Sequence, residues 1–160
     1  MAYYEKTVIS ILSTAILLTS VSSVAFAEQN TVSPQGVITP QAVGADSGWA
    51  TQNNIRARVY TDATSYGPSS DYIKVTAEKS TDGPVWYYLS LEKKVGNSWT
   101  QVGQVDGTLY TGSVNHEFSI NSAVPSYSEA TLRARLKFYK YGDGQTWLGD
   151  WVTNTFIAVN

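Results

Sequence analysis

Between Thr131 and Tyr141 the chain reads TLRARLKFYKY, with Leu132, Ala134, Leu136 and Phe138 on the even positions and Arg133, Arg135, Lys137 and Tyr139 on the odd ones. A period of two sustained over this length predicts a β-strand with one face in a core and the other toward water. Few folds accept such a strand unless further strands flank it, and the rest of the sequence supplies them.

Short alternating runs recur with turn residues between them. Ile55, Ala57 and Val59 alternate with Arg56, Arg58 and Tyr60; Ile73, Val75 and Ala77 form the inward side of a second strand. The third strand, Val85 to Val95, is the longest, with Val85, Tyr87, Leu89 and Leu91 on its apolar parity and Trp86, Tyr88, Ser90, Glu92 and Lys94 on the other. Gly96-Asn97 then suits a two-residue type II′ hairpin, because glycine tolerates positive φ at the first central position. The register that follows pairs Val95 with Ser98, Lys94 with Trp99, Glu92 with Gln101 and Leu91 with Val102. Asp106-Gly107 is expected to mark the next turn, Val114, Phe118 and Ile120 to point inward from a further strand, and Trp147 to Val159 to form a last strand broken near Gly149. In that strand burial of Val152, Phe156 and Ala158 would turn Trp151, Thr153 and Thr155 outward.

Spacing of this kind without a helical period predicts an all-β chain, an immunoglobulin-like antiparallel β-sandwich of about seven strands. In that topology the third, sixth and seventh strands share one sheet. The rows Trp86, Tyr88 and Trp99, then Arg133, Arg135, Lys137 and Tyr139, then Trp151, are therefore expected side by side. The echo between Ile55-Arg56-Ala57-Arg58-Val59 and Leu132-Arg133-Ala134-Arg135-Leu136 is too short and too widely spaced for a solenoid.

The first 27 residues differ from the rest. Lys6 precedes an apolar run from Val8 to Val24, and Ala25-Phe26-Ala27 offers a small-x-small processing site. This is the pattern of a secretory signal peptide; the competing reading, an uncleaved membrane anchor, lacks a basic stop-transfer flank. The chain is expected to divide into a signal peptide (1–27), a flexible leader or short pro-segment (28–47) and a β-sandwich domain (48–160), secreted to the extracellular side with no stable membrane insertion after cleavage. Among 160 residues there is no cysteine, so the fold is disulfide-free and relies on its core. Removing Glu5 and Lys6 together with the signal leaves the net charge at −2, which gives no reason to expect a nucleic-acid partner.

Chemistry-bearing residues are sparse. His116, the only histidine, shares parity with Val114 and Phe118 and reads as a strand residue, partly buried and hydrogen-bonded. Without cysteine or a second histidine no multi-histidine metal site or Cys-His pair can be built, the Gly142-Asp143-Gly144 run lacks the ligand spacing of an EF-hand calcium loop, and no catalytic residue, cofactor or metal is expected. Asp143 and Asp150, on either side of Trp147, are the only carboxylates worth weighing for a hydrolase, yet Asp143 between two glycines also suits a plain turn. The aromatic and basic sheet face is the stronger candidate: Trp86, Tyr88, Trp99, Arg133, Arg135, Tyr139 and Trp151 combine flat apolar rings with planar donors. Such a face suits an extracellular glycan, a cell-envelope component or a protein, making the chain a non-enzymatic binding module. The alternative is a small secreted effector, namely an antimicrobial protein, a toxin or an enzyme inhibitor.

Overall fold

The alternation around Thr131 is realised as β8 (Glu129–Lys140), whose inner residues Leu132, Ala134, Leu136 and Phe138 have no exposed surface in the computed structural model. The structure describes residues 43–160; the expected signal peptide and residues 28–42 of the expected leader lie outside them. Around β8 stand β1 (Ala50–Gln52), β2 (Ile55–Thr61), β3 (Ser65–Tyr66), β4 (Tyr72–Lys79), β5 (Val85–Val95), β6 (Ser98–Leu109), β7 (Gly112–Ser119), β9 (Trp147–Val152) and β10 (Phe156–Val159), with one helical turn, α1 (Ile120–Ala123).

The strands form two sheets, one ordered β1-β2-β4-β7 and the other β3-β10-β8-β5-β6, with β9 pairing β8 beside β10. All pairs are antiparallel except β3 with β10. This is an immunoglobulin-like β-sandwich. Its strand number exceeds seven because the last strand is split into β9 and β10, and because the short β1 and β3 add pieces at the sheet margins. As expected, β5, β8 and the β9–β10 segment share a sheet. Among the described residues no helix is long and apolar enough to cross a membrane.

The core lies between the inner stripes. Ala57, Val59, Ile73, Val75 and Ala77 of one sheet face Leu89, Leu91, Leu132, Leu136 and Phe138 of the other, all completely buried. Each fully buried Leu, Ile, Val or Phe contributes about 1.5–3 kcal/mol relative to exposure. Polar links close the sides of the sandwich. Gln52 of β1 grips β9 at both ends of its amide, Nε2 donating to the Asp150 carbonyl (2.6 Å) and Oε1 accepting from the Asp150 N–H (3.2 Å). On the opposite side Tyr87 Oη and His116 Nε2 are hydrogen-bonded at 2.7 Å, joining β5 to β7 across the core, and desolvation pulls the His116 pKa below its ordinary value.

Two expectations about glycine and one about strand register are corrected. The Asp106-Gly107 pair is not a turn; β6 runs through it, and Gly107 pairs with Tyr87. A Cβ there would stand 2.9 Å from Tyr87 Oη, so the glycine provides room for the ring rather than a bend. Gly149 does not break the last strand either: it lies inside β9, where a Cβ would meet Trp151 Cη2 at 2.5 Å. The break falls at residues 153–155. The hairpin at Gly96-Asn97 does form, with positive φ at Gly96 but not at Asn97, as a type II′ turn requires. Its register holds from Val95↔Ser98 to Glu92↔Gln101 and then shifts at a bulge, so Leu91 faces Gly103 instead of Val102. At Gly103 a Cβ would press on the Phe118 ring at 2.7 Å.

The ordered backbone also reaches further back than the expected boundary at residue 48. Gly44 N–H donates to the Thr61 carbonyl (2.7 Å), Thr61 N–H to that of Ala45 (2.9 Å), and Ser47 N–H to that of Val59 (3.0 Å). Small residues held by backbone bonds leave no hydrophobic period, so the pattern of the sequence passes over them.

Lys79 continues the inward parity of Ile73, Val75 and Ala77, and is 1% exposed. A lysine so placed cannot keep its hydration, and backbone carbonyls replace the water: Nζ donates to Gly83 O at 2.7 Å and also to the carbonyls of Thr81 and Tyr110. The ammonium thereby ties the β4–β5 turn to the β6–β7 turn. Lys79→Met keeps most of the stem but leaves three carbonyls without their donor, and is expected to cost about 2–4 kcal/mol. Urea denaturation measures this, and a loss under about 0.5 kcal/mol would show that the cage contributes little.

Candidate functional site

The outer face of the larger sheet is set by the pairing of β5 with β8, which places Trp86 opposite Tyr139, Tyr88 opposite Lys137, Ser90 opposite Arg135 and Glu92 opposite Arg133. On the far side of β5 the partners are Thr108, Asp106, Gln104 and Gln101 of β6. A side chain on this face has neighbours on both flanks, which explains how polar groups there come to be half-buried.

At one end of the face the charges neutralise one another. Glu92 is 8% exposed and accepts from Arg133 Nε at 2.6 Å and from Arg135 Nη1 at 3.5 Å. Arg135 reaches the other way to Asp150 of β9, with Nε at 3.0 and 3.1 Å from the two carboxylate oxygens and Nη2 at 2.5 Å from Oδ2. Those hydrogen bonds raise the Arg135 pKa above its ordinary value in spite of partial desolvation. The Arg133 guanidinium additionally lies over the Trp99 ring, 4.2 Å from its centroid. Trp99 is thus capped by the protein's own cation.

The other end is open. A cleft of about 330 Å³ is floored by Tyr88, Ser90 and Glu92, flanked by Gln101 and Gln104 on one side and Lys137 and Tyr139 on the other, and overhung by Gly144. A second hollow of about 530 Å³ shares Tyr88 and Gly144 and continues past Trp86 to Tyr141 and the Gly142–Gln145 loop. Together they make one trough along β5; from Glu92 to Trp86 it follows six residues, or about 20 Å of strand. Tyr88 and Tyr139 meet edge to face with centroids 5.5 Å apart. The loop at its rim is held by Asp143, whose carboxylate accepts from Gln145 N–H (2.9 Å), Thr146 N–H (3.1 Å) and Thr146 Oγ1 (2.9 Å). The two backbone donors foremost hold its pKa below the ordinary carboxylate value.

Of the residues nominated from sequence, Trp86, Tyr88 and Tyr139 line the trough, while Arg133, Arg135 and Trp99 share the face but are engaged with one another and with carboxylates. Trp151 does not belong to the face at all. It is 2% exposed, packs against Phe138 with centroids 5.2 Å apart, and donates from Nε1 to the Ala50 carbonyl at 3.0 Å. The expected phase fails because Val152 and Phe156 do not share a parity once the irregular residues 153–155 intervene: Trp151 and Phe156 are both buried, and Val152 is half-exposed. Sequence reasoning placed Lys137 on the face without nominating it as a binding residue, and did not nominate Gln101, Gln104 or Tyr141. Lys137 has the same parity as Arg135, and Gln101 follows from the hairpin register, so the signal for both was present.

The two carboxylates weighed for hydrolysis are each occupied, Asp143 by its own turn and Asp150 by Arg135. Among the described residues no group of three or more His, Asp or Glu side chains is arranged to hold a metal ion. What the trough offers chemically is hydrogen bonding and ring stacking.

Residues 42–160 match the family model described as the YqgA MG2 macroglobulin domain. The chain belongs to this family. The comparisons with curated proteins and with solved structures return no match. The matched span begins one residue before the described backbone, so the macroglobulin domain includes residues 43–47, which the sequence pattern assigns to the leader.

Within this macroglobulin domain the two tryptophans facing opposite ways should respond differently to truncation. Trp151→Ala is expected to cost about 3–5 kcal/mol as a core cavity, and Trp86→Ala under about 1 kcal/mol. Guanidinium denaturation of the two variants separates the assignments; equal losses would mean that Trp86 is part of the core.

Proposed function

We propose that this macroglobulin domain is a secreted, non-enzymatic binding module whose ligand is a saccharide chain, taken up in the trough floored by β5 and β8. The observation that carries the reading is the meeting, in one trough, of the half-buried rings of Trp86 and Tyr88 and the exposed ring of Tyr141 with unengaged polar side chains. Trp86, Tyr88 and Tyr141 supply flat apolar surface, and Gln101 and Gln104 supply carboxamides that have no hydrogen-bond partner among the described residues. Sugar rings present an apolar face and a hydroxyl edge, and need both kinds of group. An extracellular glycan or the saccharide part of a cell envelope meets that description.

Export is supported by the first 27 residues: the charged start, the apolar run and Ala25-Phe26-Ala27. Expression in a secreting host should release protein whose N-terminus is Glu28, as read by terminal sequencing; retention of Met1 in a membrane fraction would favour an anchor instead.

Binding is tested by retention of the purified domain on insoluble polysaccharides and envelope fractions. Trp86→Ala/Tyr88→Ala is expected to weaken retention at least tenfold, which is about 1.4 kcal/mol, without loss of fold by circular dichroism. Retention that is unchanged in the double variant would remove the trough from the account. Growth inhibition of neighbouring cells without any retention would point to the effector class.

A further inference from the structure

We infer that the trough selects saccharides bearing a carboxylate, and that Lys137 is the residue that recognises it. The inference rests on the saccharide reading above and adds the charge of the ligand to it.

β8 places three cations on the outer face, and the structure treats them differently. The guanidinium groups of Arg133 and Arg135 are consumed by Glu92 and Asp150. Lys137, next in the same row, has neither a hydrogen bond nor an ion pair among the described residues, and it borders the cleft directly. Its cross-strand neighbours are Tyr88 on β5 and Asp150 on β9, and the Asp150 carboxylate is turned to Arg135. Glu92, the one carboxylate lining the cleft, is compensated by two arginines. Asp106, opposite Tyr88, is exposed on the far flank of β5.

An ammonium left without a counter-ion inside a partly enclosed cleft is an attractive site for an anion, since lower local dielectric strengthens the pairing. The surrounding groups favour a carboxylate carried on a sugar over one carried on a polypeptide. Gln104 and Gln101 line the β6 wall of the cleft beside Ser90 and Glu92, diagonal to Lys137, with free carboxamides suited to hydroxyls, and Tyr88 lies next to Lys137 on the floor. The apolar C–H face of a uronic acid residue would then meet the rings and its hydroxyls the amides, while its carboxylate meets Nζ.

The test is affinity electrophoresis of the full exported chain in gels containing polygalacturonate, neutral galactan or polyglutamate. Polygalacturonate is expected to retard the protein at least tenfold more strongly than galactan. Lys137→Met should abolish that preference while leaving the weak, Trp86-dependent retardation by galactan intact. Lys94→Met, which removes an exposed cation of the hairpin end, should leave the preference unchanged. If galactan and polygalacturonate bind equally and Lys137→Met changes nothing, the charge inference falls and the saccharide reading stands. Equal loss with Lys94→Met would reduce the effect to diffuse charge and overturn the assignment. Polyglutamate retarding the protein as well as polygalacturonate would overturn the sugar half of it. Failure of both glycans to bind in a Trp86-dependent way would overturn both readings together.

Discussion

β8 is the strand on which the rest of the domain depends, because both its edges are used. β5 pairs along one side from Leu132 to Lys140, and the other side is shared between β10, at Glu129 to Leu132, and β9, at Arg135 to Tyr139. With Leu132, Ala134, Leu136 and Phe138 fully buried, a slip of one residue would carry four apolar side chains to water and four polar ones into the core. The inner stripe therefore fixes the outer one. Arg133, Arg135, Lys137 and Tyr139 stand where they do because the core leaves them no other place, and the ion-pair chain through Glu92 and Asp150 is built on that placement. Such a chain is weak evidence for stability, since desolvation offsets much of its attraction. Its clearer effect is to spend two of the three cations locally.

Alternation made the strands, the sandwich and the sharing of one sheet by β5, β8 and β9 legible. These features depend on period and on turn residues, both of which are local. Glycine was less legible, because the residue has two uses. At Gly96 it supplies positive φ, which a neighbouring asparagine announces. At Gly103 and Gly107 it supplies space for Phe118 and Tyr87, side chains of other strands, and at Gly149 for Trp151, two residues further along the same strand. A bulge opposite Leu91 is likewise invisible in β5 and β6 taken singly. The orientation of Trp151 was lost for a related reason: residues 153–155 reset the phase, so a parity carried backward from Phe156 points the wrong way.

The candidate site shows the same division. Which residues occupy the face follows from parity, and Trp86, Tyr88 and Tyr139 were found that way. Which of its charges are free does not, because it depends on partners brought from β5 and β9. Arg133 and Arg135 looked like ligand donors and turn out to be framework. The echo between IRARV and LRARL has a comparable basis, since Arg58 of β2 also meets carboxylates, Glu78 at 2.8 Å and Asp46 at 3.5 Å. A half-buried arginine on a sheet needs such a partner wherever it occurs, so the repeated motif reflects a shared physical demand and not a shared function.

Membership of the macroglobulin family accounts for the sandwich but leaves function to be argued from the face, since one fold serves many sites. The face is also rigid. The floor of the trough consists of two central strands, β5 and β8, each paired on both sides. Its overhanging rim, the Gly142–Gln145 loop, is fastened by three hydrogen bonds to the Asp143 carboxylate and by backbone bonds from Gly144 N–H to the Lys140 carbonyl and from Lys140 N–H to the Thr146 carbonyl. Rings carried on these two strands lose little freedom when a ligand arrives, which keeps their share of the ordering cost small, whereas the unpartnered side chains of Gln101, Gln104 and Lys137 are ordered only by the ligand. A trough that is open yet floored by ordered rings suits a long, repetitive ligand gripped at several points, each contributing modestly.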